Sequence, residues 1–209
     1  MRNPPSERLR QAGFGAALGV LAALPLFVYL RGFTVDDALI PARYAANLAA
    51  GAGYRFNIRG PVTDGVTPLG FPYLLAPFAA GGPLAALTAA RTLGAIAWLA
   101  ASAALGVAIA RLSGSALRYA ALFLILFSAP LAAWSSAGLE TGLAVAFATF
   151  AAVLPTRGAM SPVAGAFLGA CAWLRPEMIA YGGFLGIVRA QAAESRRARA
   201  LTLLFAVGP

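Results

Sequence analysis

Histidine and lysine are absent from this 209-residue chain, and cysteine occurs once, at Cys171. Without His or Lys, a general acid or base has to come from the seven carboxylates, with Tyr or the lone Cys as weaker choices. The seven are Glu7, Asp36, Asp37, Asp64, Glu140, Glu177 and Glu194. A single cysteine excludes a disulfide framework and a thiolate metal site. Charge is scarce as well: 11% of residues are charged, against about a quarter in an ordinary soluble domain.

What fills the chain instead is apolar. Hydrophobic residues make up 60% of it, and the mean hydropathy is +0.78. Uncharged runs cover 11–30, 92–110, 119–139, 141–156 and 158–174. Several approach the ~20 residues that an apolar helix needs to cross a bilayer core. In lipid the backbone has to satisfy its own hydrogen bonds, so the expected fold class is all-α, a polytopic transmembrane bundle. The first run is long for a cleavable leader and reads as a retained span.

All sixteen basic residues are arginine, and their distribution sets an orientation. The N-terminal MRNPPSERLR carries three of them, which places this end in the cytoplasm. The first span then leaves near Arg31, and an outer loop covers 32–83. Further spans follow at about 84–110, 117–134, 141–155 and 160–174, a sixth returns to the basic run RAQAAESRRARA, and a seventh begins near Leu201. On this layout ten arginines face two glutamates inside, and six arginines face five carboxylates outside. The net charge of +9 is therefore mainly a topology signal and does not point to nucleic acid.

Two stretches strain the layout. Residues 65–90 are uncharged and long enough for a span, but Pro68, Pro72, Pro77 and Pro83 interrupt them. Proline inside a helix removes a hydrogen bond and clashes with the preceding turn. A broken helix at the outer surface is the expectation there. Only eleven residues separate Glu177 from Arg189, too few to cross the core. Either Arg175 and Glu177 sit below the surface or the sixth span is tilted and short.

The adjacent acids Asp36 and Asp37 open the outer loop. Each acid outside is explained by the preference of the inner side for arginine, but neighbouring like charges cost stability unless something uses them. One of the two is expected as the N-cap of a helix, with Pro41 in its first turn. Ile40, Tyr44 and Leu48 form an apolar stripe on that helix, Arg43 and Asn47 a polar row beside it, and Gly51 and Gly53 end it. The other aspartate is left free to deprotonate a hydroxyl.

These residues also resemble a known family. DDALIPARYAANLAAGAGYRFN (36–57) followed by PVTDGVTPLGFPYLLAP (61–77) is similar to the first outer loop of the GT-C superfamily of integral-membrane glycosyltransferases. The nearest group is the cell-wall arabinofuranosyltransferase-like and related polyprenyl-phosphate-sugar-dependent enzymes. SSAGLET (135–141) and LRPE (174–177) resemble two further family segments. Where members often carry Glu-Gly-Tyr, this chain has Asp64-Gly65-Val66, so no tyrosine role carries over.

The resemblance implies transfer of a sugar from a polyprenyl-phosphate donor to a glycan or lipid acceptor at the outer face of a bacterial plasma membrane. Asp36 is implied as base first, and Asp37 second. Arg43, Arg55, Arg59, Arg91 and Arg175 are the implied phosphate ligands, since the guanidinium fork matches phosphate oxygens. Glu140 and Glu177 are implied to hold sugar hydroxyls. A divalent cation between the aspartates and the phosphate stays open, with no full ligand set visible. Members are usually longer, so a chain ending at AVGP, inside an apparent span, is expected to be the N-terminal part of one. The competing readings are a transporter or flippase for a lipid-linked substrate, and an inactive remnant.

Overall fold

The computed structural model describes residues 4–63, 65–111, 115–126, 128–154, 161–191 and 200–202. Among these every regular element is helical. In chain order they are α1 (Pro5–Tyr29), a 3-10 turn at Asp36–Ala38 leading into α2 (Leu39–Ala49), α3 (Gly70–Leu75) with a 3-10 turn at Ala76–Phe78, α4 (Pro83–Ala110), α5 (Ser115–Leu126), α6 (Ala129–Ser136), α7 (Thr141–Val153), α8 (Pro162–Leu174) and α9 (Met178–Gln191).

Three helical stretches are long and apolar enough to cross a membrane: Ser6–Tyr29, Pro83–Ala110 and Leu117–Ser136. At 1.5 Å per residue, α4 is about 42 Å long and exceeds the ~30 Å core. The fourth and fifth expected spans appear as α7 and α8, apolar but of 13 residues each, about 20 Å. Of the expected seventh span only the residues up to 202 are described.

The surface of the long helices fits an apolar solvent. Phe14 is 65% exposed, and Leu21, Val28, Ile96, Phe123 and Leu124 are all more than half exposed. Side chains of this kind, massed on helix flanks, are covered by lipid or by a partner in a stable protein.

In lipid there is no water to exclude between helices, so close packing has to hold apolar helices of this kind together. Glycine supplies it. A Cβ on Gly19 would run into the carbonyl of Ser102, and one on Gly106 into the carbonyl of Gly15, so α1 and α4 meet backbone to backbone. Gly94 of α4 lies in the same way against Ser135 and Gly142, which docks α6 and α7. Gly70 lies under the Trp173 indole, which ties α3 to α8.

The proline-rich segment is broken, as its composition predicts. Pro72 stands inside α3, Pro77 in the 3-10 turn and Pro83 at the first residue of α4, where a missing N–H costs nothing. Phe71 and Leu75 of α3 are buried with Ala42 and Ala45 of α2, Ala86 and Ala90 of α4 and Leu174 of α8. This cluster fixes the outer-loop helices against the long ones.

The α1–α4 contact is directly testable. Gly106→Val is expected to cost about 1–3 kcal/mol or more by overpacking and to lower the thermal midpoint of the detergent-solubilised protein. Gly13→Val, where an added Cβ meets nothing within 4 Å, is expected to leave it unchanged. Equal midpoints for the two variants would contradict the packing described.

Candidate functional site

The aspartates do not cap α2 from outside. The chain enters the 3-10 turn at Asp36 itself, and α2 begins after Ala38 with no side-chain cap. Asp36 Oδ1 accepts from the Asp37 backbone N–H at 3.0 Å. Two acids inside the first turn still face the positive end of the helix, which is how the local structure tolerates the pair. The carboxylate of Asp37 has no partner among the described residues.

The expected apolar stripe of α2 is only partly a core stripe. Tyr44 is 1% exposed, while Ile40 and Leu48 are half-buried. The face turned to α4 is instead Ala42 and Ala45, whose small side chains let the two helices approach. Gly51 and Gly53, with φ of +72° and +82°, end the helix as expected, in a conformation glycine adopts without strain.

The loop after α2 folds back onto it. Asn47 Nδ2 donates to the carbonyls of Arg55 (2.7 Å) and Phe56 (3.0 Å). Arg43 Nε also donates to the Phe56 carbonyl at 2.9 Å, and its Nη2 to Asn57 Oδ1 at 3.0 Å. Its guanidinium lies 4.5 Å from the centre of the Phe56 ring. Arg55 Nη1 donates to the Gly60 carbonyl at 3.1 Å. The Tyr44 hydroxyl meets the Thr63 carbonyl and hydroxyl at 3.0 and 2.8 Å, and accepts from the Gly65 N–H at 3.1 Å. A hydroxyl with three polar neighbours in a buried position is a strong local anchor. It holds Thr63 and Gly65 beside the middle of α2.

That arrangement encloses a cavity of about 320 Å³. One wall is Asp37, Ile40 and Pro41; a second is the loop from Gly65 to Pro68; the third is Leu139 and Glu140 ahead of α7 together with Arg175 at the end of α8. Glu140 is 2% exposed. Its Oε1 is 2.5 Å from Arg175 Nε. Arg175 also contacts Glu177 Oε1 at 3.1 Å and donates to Thr141 Oγ1 at 3.4 Å. A buried carboxylate needs such a partner, since desolvation without one is costly. Glu177 is held below the ordinary carboxylate range, first by its own backbone N–H and then, against the opposing cost of desolvation, by Arg175.

The charges in this region do not balance. Arg175 is shared between two glutamates, and Asp37 adds a third carboxylate to the same neighbourhood. The cavity is therefore net acidic. It suits a hydroxyl-bearing ligand better than an anion. A neighbouring cavity of about 370 Å³ shares Ile40 and Gly65 with it and is lined further by Tyr44, Phe56, Asn57 and Gly60.

The residues singled out from sequence are thus divided. Asp37, Glu140 and Arg175 come together, with Glu177 attached through Arg175. Asp36 and Asp37 are both exposed, and of the two only Asp37 lines the cavity. Arg43 and Arg55 brace the loop. Arg59 is exposed and makes no hydrogen bond or ion pair with a described residue. Arg91 lies in a separate cavity between α1, α4 and α6. Asp64 lies outside the described residues. Among the described residues no three acidic, His or Cys side chains converge as a metal site would require. Sequence reasoning missed two things: the anchoring role of the Tyr44 hydroxyl, hidden inside an apolar stripe, and the Thr34 hydroxyl, which donates to the Ala137 carbonyl at 2.7 Å and ties the two outer segments together.

The ion-pair geometry makes an ordered prediction for thermal midpoints in detergent. Arg175→Gln is expected to be the most destabilising, because it strands the buried Glu140 charge. Glu140→Gln comes next, about 1–3 kcal/mol, since Arg175 is partly exposed and keeps Glu177. Glu177→Gln is expected to change little. A Glu177→Gln loss as large as that of Arg175→Gln would refute the arrangement.

The sequence matches no family model, no curated protein and no solved structure.

Proposed function

We propose that this protein is a membrane glycosyltransferase of the GT-C type, which moves a sugar from a polyprenyl-phosphate donor to a hydroxyl acceptor at the outer face of a bacterial plasma membrane. The observation that carries the reading is the Asp37 carboxylate, unpartnered among the described residues, in an acidic cavity whose far wall is the buried Glu140 paired with the partly exposed Arg175. The resemblance of 36–57, 135–141 and 174–177 to that superfamily adds to it, because these segments supply two of the three walls of the one cavity.

Asp37 is the base in this mechanism. Its carboxylate takes the proton of the acceptor hydroxyl as that oxygen attacks the anomeric carbon of the sugar. The bond from the anomeric carbon to phosphate oxygen breaks, and the electron pair leaves with the polyprenyl phosphate. Base catalysis of this kind contributes ~10²–10⁴-fold. Glu140, immobilised by Arg175, accepts hydrogen bonds from sugar hydroxyls. Preorganisation of this kind favours reaction because the acceptor atom does not move during the step.

The acidic cavity is a poor place for a phosphate. The adjoining cavity is better suited, because it carries the Tyr44 and Phe56 rings, the Arg43 guanidinium packs over Phe56, and the uncommitted Arg59 lies on the same loop. In this reading the donor phosphate lies there, with Arg59, which is not part of the cavity lining but lies between Asn57 and Gly60 in sequence, reaching to it as a ligand.

Two measurements test the reading. In membranes containing the protein, Asp37→Asn is expected to lower transfer of labelled sugar from polyprenyl-phosphate donors by ~10²-fold or more, with a smaller effect for Asp36→Asn. Full transfer by a folded Asp37→Asn protein removes Asp37 as the base. Separately, Arg59→Cys is expected to react with a membrane-impermeant maleimide in intact cells, over a low background from the buried Cys171. Labelling that appears only after the cells are opened would reverse the orientation.

A further inference from the structure

A cavity of about 450 Å³ opens between α1, α4 and α6, away from Asp37 and Glu140. Two cations line it. Arg31 stands just past the end of α1, exposed, and Arg91 projects from α4, half-buried. Neither forms an ion pair with a described residue. No carboxylate lines the space.

Two of its polar atoms are buried without partners. The Arg91 Nε and the Ser136 Oγ find no hydrogen bond among the described residues, and Ser136 as a whole is 6% exposed. Native proteins rarely leave such groups unsatisfied. The turn through Gly138, with φ of +98°, packs on the aliphatic stem of Arg91, so the guanidinium is supported by the fold rather than free to leave. Below the cations the lining turns apolar, with Phe27, Ile96 and Leu99. The cavity is thus cationic at one end and greasy at the other.

We propose that this cleft binds a lipid phosphate, an anionic phospholipid whose phosphodiester oxygens accept from Arg31, Arg91 and the Ser136 hydroxyl while an acyl chain lies along Phe27, Ile96 and Leu99. Charge complementarity selects the headgroup, because a forked guanidinium meets two phosphate oxygens at once. The apolar floor selects a lipid over a free anion. The site is independent of sugar transfer, since Asp37 and Glu140 line a different cavity, and it assigns Arg91 to lipid binding rather than to the donor.

The test uses the full protein in detergent micelles doped with phosphatidylglycerol or phosphatidylcholine, or supplied with inorganic phosphate, with the thermal midpoint as readout. Phosphatidylglycerol is expected to raise the midpoint, and the other two are not. Arg31→Gln and Arg91→Gln are each expected to weaken the apparent phosphatidylglycerol affinity on the order of tenfold, the loss of one charge-assisted hydrogen bond. A phosphatidylglycerol response unchanged in both variants overturns the site. An equal response to phosphatidylcholine overturns the role of charge, and an equal response to inorganic phosphate overturns the lipid. If Arg91→Gln fails to fold, the exposed Arg31 still decides the matter through its own variant.

Discussion

Everything in this protein hangs on how closely other helices can approach α4. Lipid gives helices no hydrophobic reason to associate, so attraction comes from dispersion at short range and from the few polar contacts that survive. Glycines at 15, 19, 94, 106 and 142 remove the side chains that would hold the backbones apart. Consequences follow outward from those contacts. The Gly94–Gly142 approach sets where α7 starts, and therefore where Glu140 sits. Leu174, buried against the α2–α3–α4 cluster, sets where α8 ends, and therefore where Arg175 sits. The buried ion pair is a result of helix packing, and it then stiffens the packing that produced it.

Polar side chains are put to two different uses. Arg43, Asn47, Arg55 and Tyr44 are spent mainly on backbone carbonyls and amides of residues 55–63 and of Gly65. They give a segment without regular structure a defined shape, because each buried backbone group has to find a partner. Asp37 and Arg59 are left over from that accounting, and so are Arg31 and Arg91. A carboxylate and three guanidiniums without ion-pair partners among the described residues are the natural places to look for ligands. Their division between separate cavities separates hydroxyl chemistry from anion binding by electrostatics alone.

Several features were readable from the sequence because they are local. The lack of charge over runs of about twenty residues demands helices in lipid. Four prolines between 68 and 83 preclude one continuous helix there, and the structure breaks the segment at Pro77 and Pro83 while Pro72 falls inside the short α3. Gly51 and Gly53 end α2 because a positive φ is open to glycine and strained for other residues. The short spacing between Glu177 and Arg189 already signalled that α9 is not an ordinary span, and it has 14 residues.

Other features depend on which helices meet, and no local rule contains that. A pattern of apolar residues in lipid does not say which face is core, so Ile40 and Leu48 looked equivalent to Tyr44 until α4 was in place. Arg175 has an acidic neighbour two residues away, yet its shortest contact is with Glu140, which is distant in the chain and adjacent in space. The five arginines expected on one face resolve into loop braces, an ion-pair partner, one exposed cation and one member of a second cleft. By itself the sequence determined that the chain is helical, where its helices break, and which few residue types are available for chemistry. Only the tertiary structure decided which aspartate faces a cavity, which charges are neutralised and which remain, because those outcomes depend on crossing distances between helices that are set by glycines far apart in the chain.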